Sequence, residues 1–218
     1  MAALCQRGLG RGWRGTGATF TLALFAFLGA GHARAAAEFE RLDVSEDSGT
    51  YRIQASLFVK APPEAVLGAL LDFEGQRAIS PPIREIDVLG TTPDGGTLVR
   101  IVSEICIGPF CKDVKQLQAV RLVAPGTIRA SVIPGGGDLR SGTTAVEVSA
   151  EQGRTRVQMD CTIQPLKKRP SFLPKGWVLN AIRRQARQSA AGLEALALRI
   201  ASRRSPETGH ERDPASSR

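Results

Sequence analysis

From residue 83 to residue 164 the hydrophobic pattern keeps a period of two, and this constrains the chain more than any other feature. The runs are 83–92 (IREIDVLGTT), 97–107 (TLVRIVSEICI), 111–123 (CKDVKQLQAVRLV), 127–133 (TIRASVI), 143–150 (TTAVEVSA) and 154–164 (RTRVQMDCTIQ). Between them stand PDGG, IGPF, APG, PGGGD and EQGR, which are short and carry turn chemistry. Such connections predict antiparallel neighbours. The last pair can be set in register. With Gln152-Gly153 as the turn, Val148 faces Val157, Val146 faces Met159 and Thr144 faces Cys161. The other face then opposes Glu151 to Arg154, Ser149 to Arg156 and Glu147 to Gln158. One face is apolar and the other is polar with opposite charges paired, as a one-sided sheet requires.

Residues 51–60 (YRIQASLFVK) predict a further half-buried strand, with Tyr51, Ile53, Ala55, Leu57 and Val59 on one face and Phe58 interrupting the pattern. Ala61-Pro62-Pro63 ends it. A helix follows over PEAVLGALLDFEG, opened by proline, with Glu64 in its first turn and Val66, Leu67, Leu70 and Leu71 as its stripe. A second short helix is expected over 75–80. After Pro170 or Pro174 a long helix runs to about residue 201. Val178, Ile182, Ala186, Leu193, Leu196 and Ile200 share one broad face of it. Ala190 and Gly192 keep its middle thin, either to leave room for something beneath or to admit a close neighbour.

The ends read differently. Residues 1–35 hold four arginines and no acid, then an apolar run from Ala18 to Ala30, then Ala33-Arg34-Ala35. That is the pattern of a signal peptide, with cleavage expected after Ala35, or after Ala37 as the second choice; an uncleaved anchor is the competing reading. Export to the periplasm or outside the cell follows. The full chain has a net charge of +8; without the leader's four arginines, 25 basic residues face 21 acidic ones, leaving +4. This modest, scattered charge, with a single tyrosine and few aromatics, speaks against nucleic acid as a partner. Residues 36–48 are expected to be a linker, and 202–218 a disordered tail. The domain is then 49–201.

Both histidines, His32 and His210, fall in these end segments. A domain without histidine excludes Ser-His and Cys-His nucleophilic pairs and histidine-containing zinc sites. Cys5 lies in the leader, so Cys106, Cys111 and Cys161 remain, too few for a four-ligand zinc site. No metal and no cofactor is expected. If IGPF is a four-residue hairpin loop, Cys106 and Cys111 oppose each other within disulfide reach, and an oxidising compartment makes them a structural staple. Cys161 points inward as a small buried hydrophobe. The same register opposes Glu104 to Asp113, a like-charge pair that calls for a bulge near Phe110 or a role for one carboxylate.

Three stretches resemble the START-like, helix-grip superfamily of lipid-transfer, polyketide cyclase and Bet v 1-type domains. VKAPPEAVLGALLDFEG is similar to its first strand and helix. CKDVKQLQAV is similar to a strand that often carries a basic-Asp pair, here Lys112-Asp113. QPLKKRPSFLPKGWVLNAIRRQARQSAAGLEAL resembles its approach to the last helix, with Leu173-Pro174, Trp177 and Asn180 as counterparts. The likeness covers about residues 50–200 and is nearest to the bacterial branch grouped with coenzyme Q-binding START proteins. It implies an α+β fold in which a curved antiparallel sheet of about seven strands grips a long C-terminal helix over an apolar cavity. The implied ligands are lipids, sterols, quinones or polyketides. Export and low aromatic content depart from a quinone-specific pattern.

The leading functional expectation is a carrier, not an enzyme, acting as a monomer with a hydrophobic small molecule and transient membrane contact. Its cavity candidates are Leu57, Val59, Val146, Val148, Val157, Met159, Cys161, Val178, Ile182, Ala186 and Leu193, each equally compatible with plain core packing. A cyclase or hydrolase would draw on Glu104, Asp113 and Arg100. A protein-interaction module would use Lys167-Lys168-Arg169 and the tail. PGGGD at 134–138 lies between strands and is no phosphate cradle.

Overall fold

A computed structural model describes residues 37–204. The expected signal peptide and the tail beyond Arg204 lie outside the described residues. Eleven elements follow in chain order: β1 (Glu38–Asp47), β2 (Thr50–Val59), α1 (Pro63–Leu71), α2 (Gln76–Ile79), β3 (Ile83–Thr91), β4 (Thr97–Ile107), β5 (Phe110–Ala124), β6 (Thr127–Val132), β7 (Leu139–Glu151), β8 (Arg154–Pro165) and α3 (Lys175–Arg204). The eight strands form one antiparallel sheet in the order β1-β2-β8-β7-β6-β5-β4-β3. The sheet curves far enough for strands near both of its edges to reach α3. Arg183 of α3 donates to the Val44 carbonyl of β1, and α3 also faces Cys106 and Ile107 of β4.

The β7–β8 register is the one expected, from Glu151 opposite Arg154 to Thr144 opposite Cys161. The main difference is β1. Residues 38–47 are a strand and not a linker, which makes eight strands where about seven were expected. Phe39, Leu42 and Val44 are its inward residues, and a register shift between Phe39 and Arg41 makes the step between the first two three residues where two is regular. That bulge breaks the period of two and hides the strand from a pattern reading. β7 likewise begins earlier than residue 143, beyond an irregularity between Leu139 and Ser141. α3 continues three residues past Ala201.

The core follows from these registers. Leu57 and Val59 of β2, Val99 and Ile101 of β4, Val120, Ile128, Val146, Val148 and Val157 pack under α1 and the C-terminal half of α3, where Ala190, Leu193, Leu196 and Ala197 are buried. Val66, Ala65 and Ala69 bury the inner face of α1, while Leu67, Leu70 and Leu71 pack at its margin. Phe58, which breaks the alternation of β2, sits on the outer face beneath the Arg154 guanidinium, 4.1 Å from its ring centre.

The thin middle of α3 is a close approach. A Cβ on Gly192 would stand 2.4 Å from the Ile79 carbonyl oxygen, so the backbone of α2 fills the space. Two residues on, Glu194 is buried: one carboxylate oxygen accepts the Lys60 N–H at 3.3 Å, and the other has no partner among the described residues. It ties α3 to the connection between β2 and α1.

Candidate functional site: a cleft beneath the first half of α3

The N-terminal half of α3 leaves a gap toward the end of β4. α1 and α2 press on the later turns; the early turns pack on one side against Val44, Ile53, Cys161 and Tyr51, and on the other side face the end of β4 and the Pro81-Pro82 turn. The gap is a cleft of about 310 Å³. Ile105, Cys106 and Ile107 form one wall, Val178, Ala181 and Ile182 the other, and Pro81 and Pro82 one end. Glu104, Arg184, Gln185 and Gln188 supply the polar rim. Mostly apolar walls with a few polar groups at the edge suit a small hydrophobic molecule.

A larger concavity of about 560 Å³ lies on the opposite, outward face of the sheet. It is lined largely by Glu40, Arg41, Gln54, Glu147, Arg156, Gln158 and Asp160. Arg156 is already engaged there, 2.6 Å from Glu40 and 3.1 Å from Glu151. That surface is a solvated ion-pair face without the apolar walls of a lipid site.

Cys106 and Cys111 are directly opposed and bonded, with Cα atoms 4.0 Å apart. The loop differs in length from the expected one. Ile107 pairs with Phe110, leaving a two-residue Gly108-Pro109 turn, and Gly108 takes the positive φ of 60° favoured at the first turn position. Removing one residue from each side of the loop preserves the cysteine register. The staple therefore braces the β4 wall of the cleft. Glu104 clusters with the two cysteines, but both sulfurs are consumed by the bond.

Glu104 and Asp113 are indeed opposed, with no bulge in the β4–β5 ladder. Arg84 resolves the conflict: it hydrogen-bonds Glu104 and lies 3.9 Å from Asp113. The sequence could not show this, because Arg84 reaches the pair through a register shift between Ile83 and Glu85. Arg100 pairs with Asp87 at 2.9 Å and does not line the cleft. The three candidate catalytic groups are thus held in ion pairs and do not converge on one point.

The eleven cavity candidates divide in three. Val178 and Ile182 line the cleft. Leu57, Val59, Val146, Val148, Val157 and Leu193 belong to the packed core under α1 and late α3, with Met159 against it. Cys161 lies between, with Val44 and Ile53, and Ala186 is half-buried outside the cleft lining. Sequence reasoning did not single out Pro81, Pro82, Gln185 or Gln188, which line the cleft.

Burial pushes the Cys161 thiol above its ordinary pKa, and Thr144 donates a hydrogen bond to its sulfur at 3.3 Å. The thiolate is the reactive form. In native protein at pH 8, iodoacetamide is expected to leave Cys161 unmodified and to modify it fully in denaturant, as read by peptide mass mapping. Rapid native labelling of Cys161 would show that the sheet interior is open there.

No protein-family model and no curated protein sequence matches the chain. Solved structures do. A protein of Thermus thermophilus superposes with a TM-score of 0.57 at 22% identity, covering 68% of this chain and 97% of that one. A START superfamily protein from Mycobacterium smegmatis gives 0.54 at 18% identity, with 68% and 98% covered. The Zhui aromatase/cyclase from Streptomyces sp. R1128 gives 0.52 at 15% identity, with 73% and 98% covered. A curved antiparallel sheet gripping a long terminal helix, together with these superpositions over nearly the whole of each neighbour, establishes that the chain has the START-like helix-grip fold.

Proposed function

We propose that this chain is an exported binding or carrier protein for a hydrophobic small molecule, of lipid, quinone or polyketide-like class, held in the cleft between β4 and the first half of α3. The single observation that carries the reading is the cleft itself: apolar walls from Ile105, Ile107, Val178, Ala181 and Ile182 where α3 leaves a gap toward β4. The helix-grip fold supports it at the level of class, since solved neighbours include a START superfamily protein and an aromatase/cyclase. Export is supported by the signal-peptide pattern of residues 1–35 and by the Cys106–Cys111 bond, which persists in oxidising compartments. With Glu104 tied to Arg84 and Arg100 tied to Asp87, a carrier is favoured over acid–base chemistry.

Native mass spectrometry of protein purified under detergent-free conditions, followed by organic extraction, tests the reading. An apolar adduct is expected, and its extracted mass separates lipid from quinone from polyketide. Ala181→Trp, which fills the cleft from the helix side, is expected to lower adduct occupancy at least tenfold while leaving the circular dichroism spectrum unchanged; the tenfold figure is an order-of-magnitude expectation for a blocked apolar site, about 1.4 kcal/mol or more. Adduct-free protein from repeated preparations, or full occupancy in the tryptophan variant, would refute it.

A further inference from the structure

The segment leading into α3, residues 166–177 (LKKRPSFLPKGW), has four basic residues and no acidic one. Its two aromatic side chains face outward: Phe172 is 69% exposed and Trp177 52%. They are not isolated. Phe110, at the tip of the β4–β5 hairpin and itself 54% exposed, packs its ring 5.6 Å from that of Phe172. The Trp177 ring lies over Gly108 of the same tip, 3.2 Å from where a Cβ would stand. Two elements distant in sequence thus build one aromatic patch that nothing among the described residues covers.

The charge beside the patch is only partly compensated, by Asp138, whose carboxyl is held below its ordinary pKa by the Lys115 N–H, Lys112 and Lys167. Arg169 is turned inward to the Leu173 carbonyl, and Lys175 pairs with Glu46 at 3.0 Å. Lys167 and Lys168 form no ion pair among the described residues, which carry ion pairs elsewhere on this end at Lys112 and Lys175. Exposed aromatic rings flanked by lysines are the two-part anchor of a lipid–water interface: the rings enter the headgroup layer and the ammonium groups meet anionic phosphates. The patch also adjoins the cleft, because Gly108 follows the lining residue Ile107 and Trp177 precedes the lining residue Val178.

We propose that the Phe110–Phe172–Trp177 tip, with Lys167 and Lys168, docks on an anionic phospholipid surface and presents the cleft to it. Docking stands on the patch alone; its use in loading or unloading a ligand rests on the carrier reading above. The test uses the full chain with Trp13→Phe, which leaves Trp177 as the only tryptophan. Vesicles of phosphatidylcholine with phosphatidylglycerol are expected to shift Trp177 emission to the blue, and rising salt to reverse the shift. Pure phosphatidylcholine vesicles are expected to give a much smaller shift. Lys167→Ala with Lys168→Ala is expected to weaken partitioning on the order of 10–30-fold, from about one factor of five per lysine. Phe172→Ala is expected to weaken it roughly tenfold. Both positions are exposed, so native circular dichroism is expected to persist. Any binding through residues 1–35 is common to all variants, so the differences isolate the tip. No emission shift with anionic vesicles, or one unchanged by the double lysine substitution, would overturn the proposal. Vesicle binding by protein that carries no extractable ligand would refute the carrier reading alone.

Discussion

Gly192→Ala is expected to destabilise the domain by about 2 kcal/mol, although alanine is ordinarily the better helix residue. The added Cβ would lie 2.4 Å from the Ile79 carbonyl oxygen, 2.7 Å from the Ala78 carbonyl oxygen and 2.7 Å from the Ile79 Cα. All three are backbone atoms, so no side-chain rotation relieves the overlap. α2 or α3 must move outward, and that loosens the burial of Ile79, Ala190 and Leu193. Overpacking of this kind costs roughly 3 kcal/mol at the upper end of its usual range, and the helix-propensity gain of about 1 kcal/mol offsets part of it. Gly176→Ala, on the same helix, meets nothing within 4 Å and is expected to stabilise by about 0.5 kcal/mol. Urea denaturation of the two variants therefore has a sign to report. Equal stabilisation by both alanines would mean that α2 does not lie against α3.

Cys106→Ser combined with Cys111→Ser is expected to cost about 2 kcal/mol, the loop-closure entropy of a bridge spanning a sequence separation of five. For a domain of this size that lowers Tm by roughly 6 °C. Reductant is expected to lower the wild-type Tm by the same amount and to leave the double variant unchanged. The loss is local in its first effect. The bond joins the last residues of β4 to the first of β5, so amide exchange at Ile105, Ile107 and Lys112 is expected to speed up, while Val148 and Val157, deep in the sheet, keep their protection. A reductant-insensitive wild-type melt would show that the staple contributes nothing.

The regular elements were legible because their inward residues repeat without interruption. Val146, Val148, Val157 and Met159 alternate cleanly, and a one-residue slip would have put all of them in water, so the β7–β8 register was available from the pattern alone. The staple was legible for a similar reason: opposition of Cys106 and Cys111 depends on symmetric closure and survives a change from four loop residues to two. β1 was not legible, because the bulge between Phe39 and Arg41 spoils its alternation. Arg84 was not legible as the partner of Glu104, because the pairing depends on a register shift in a neighbouring strand.

The cleft shows the same division. The sequence alone determined which residues face inward, since periodicity depends only on the local backbone repeat: Val178 and Ile182, like Leu57 and Val148, were bound to point at the helix–sheet layer. It could not say which inward residues meet a neighbour and which meet space. That was decided by where α1 and α2 land on α3. They close the layer over Leu193 and Gly192 and leave it open at Ala181 and Ile182, because a contact between distant elements is set by their relative placement and leaves no trace in either one's own period.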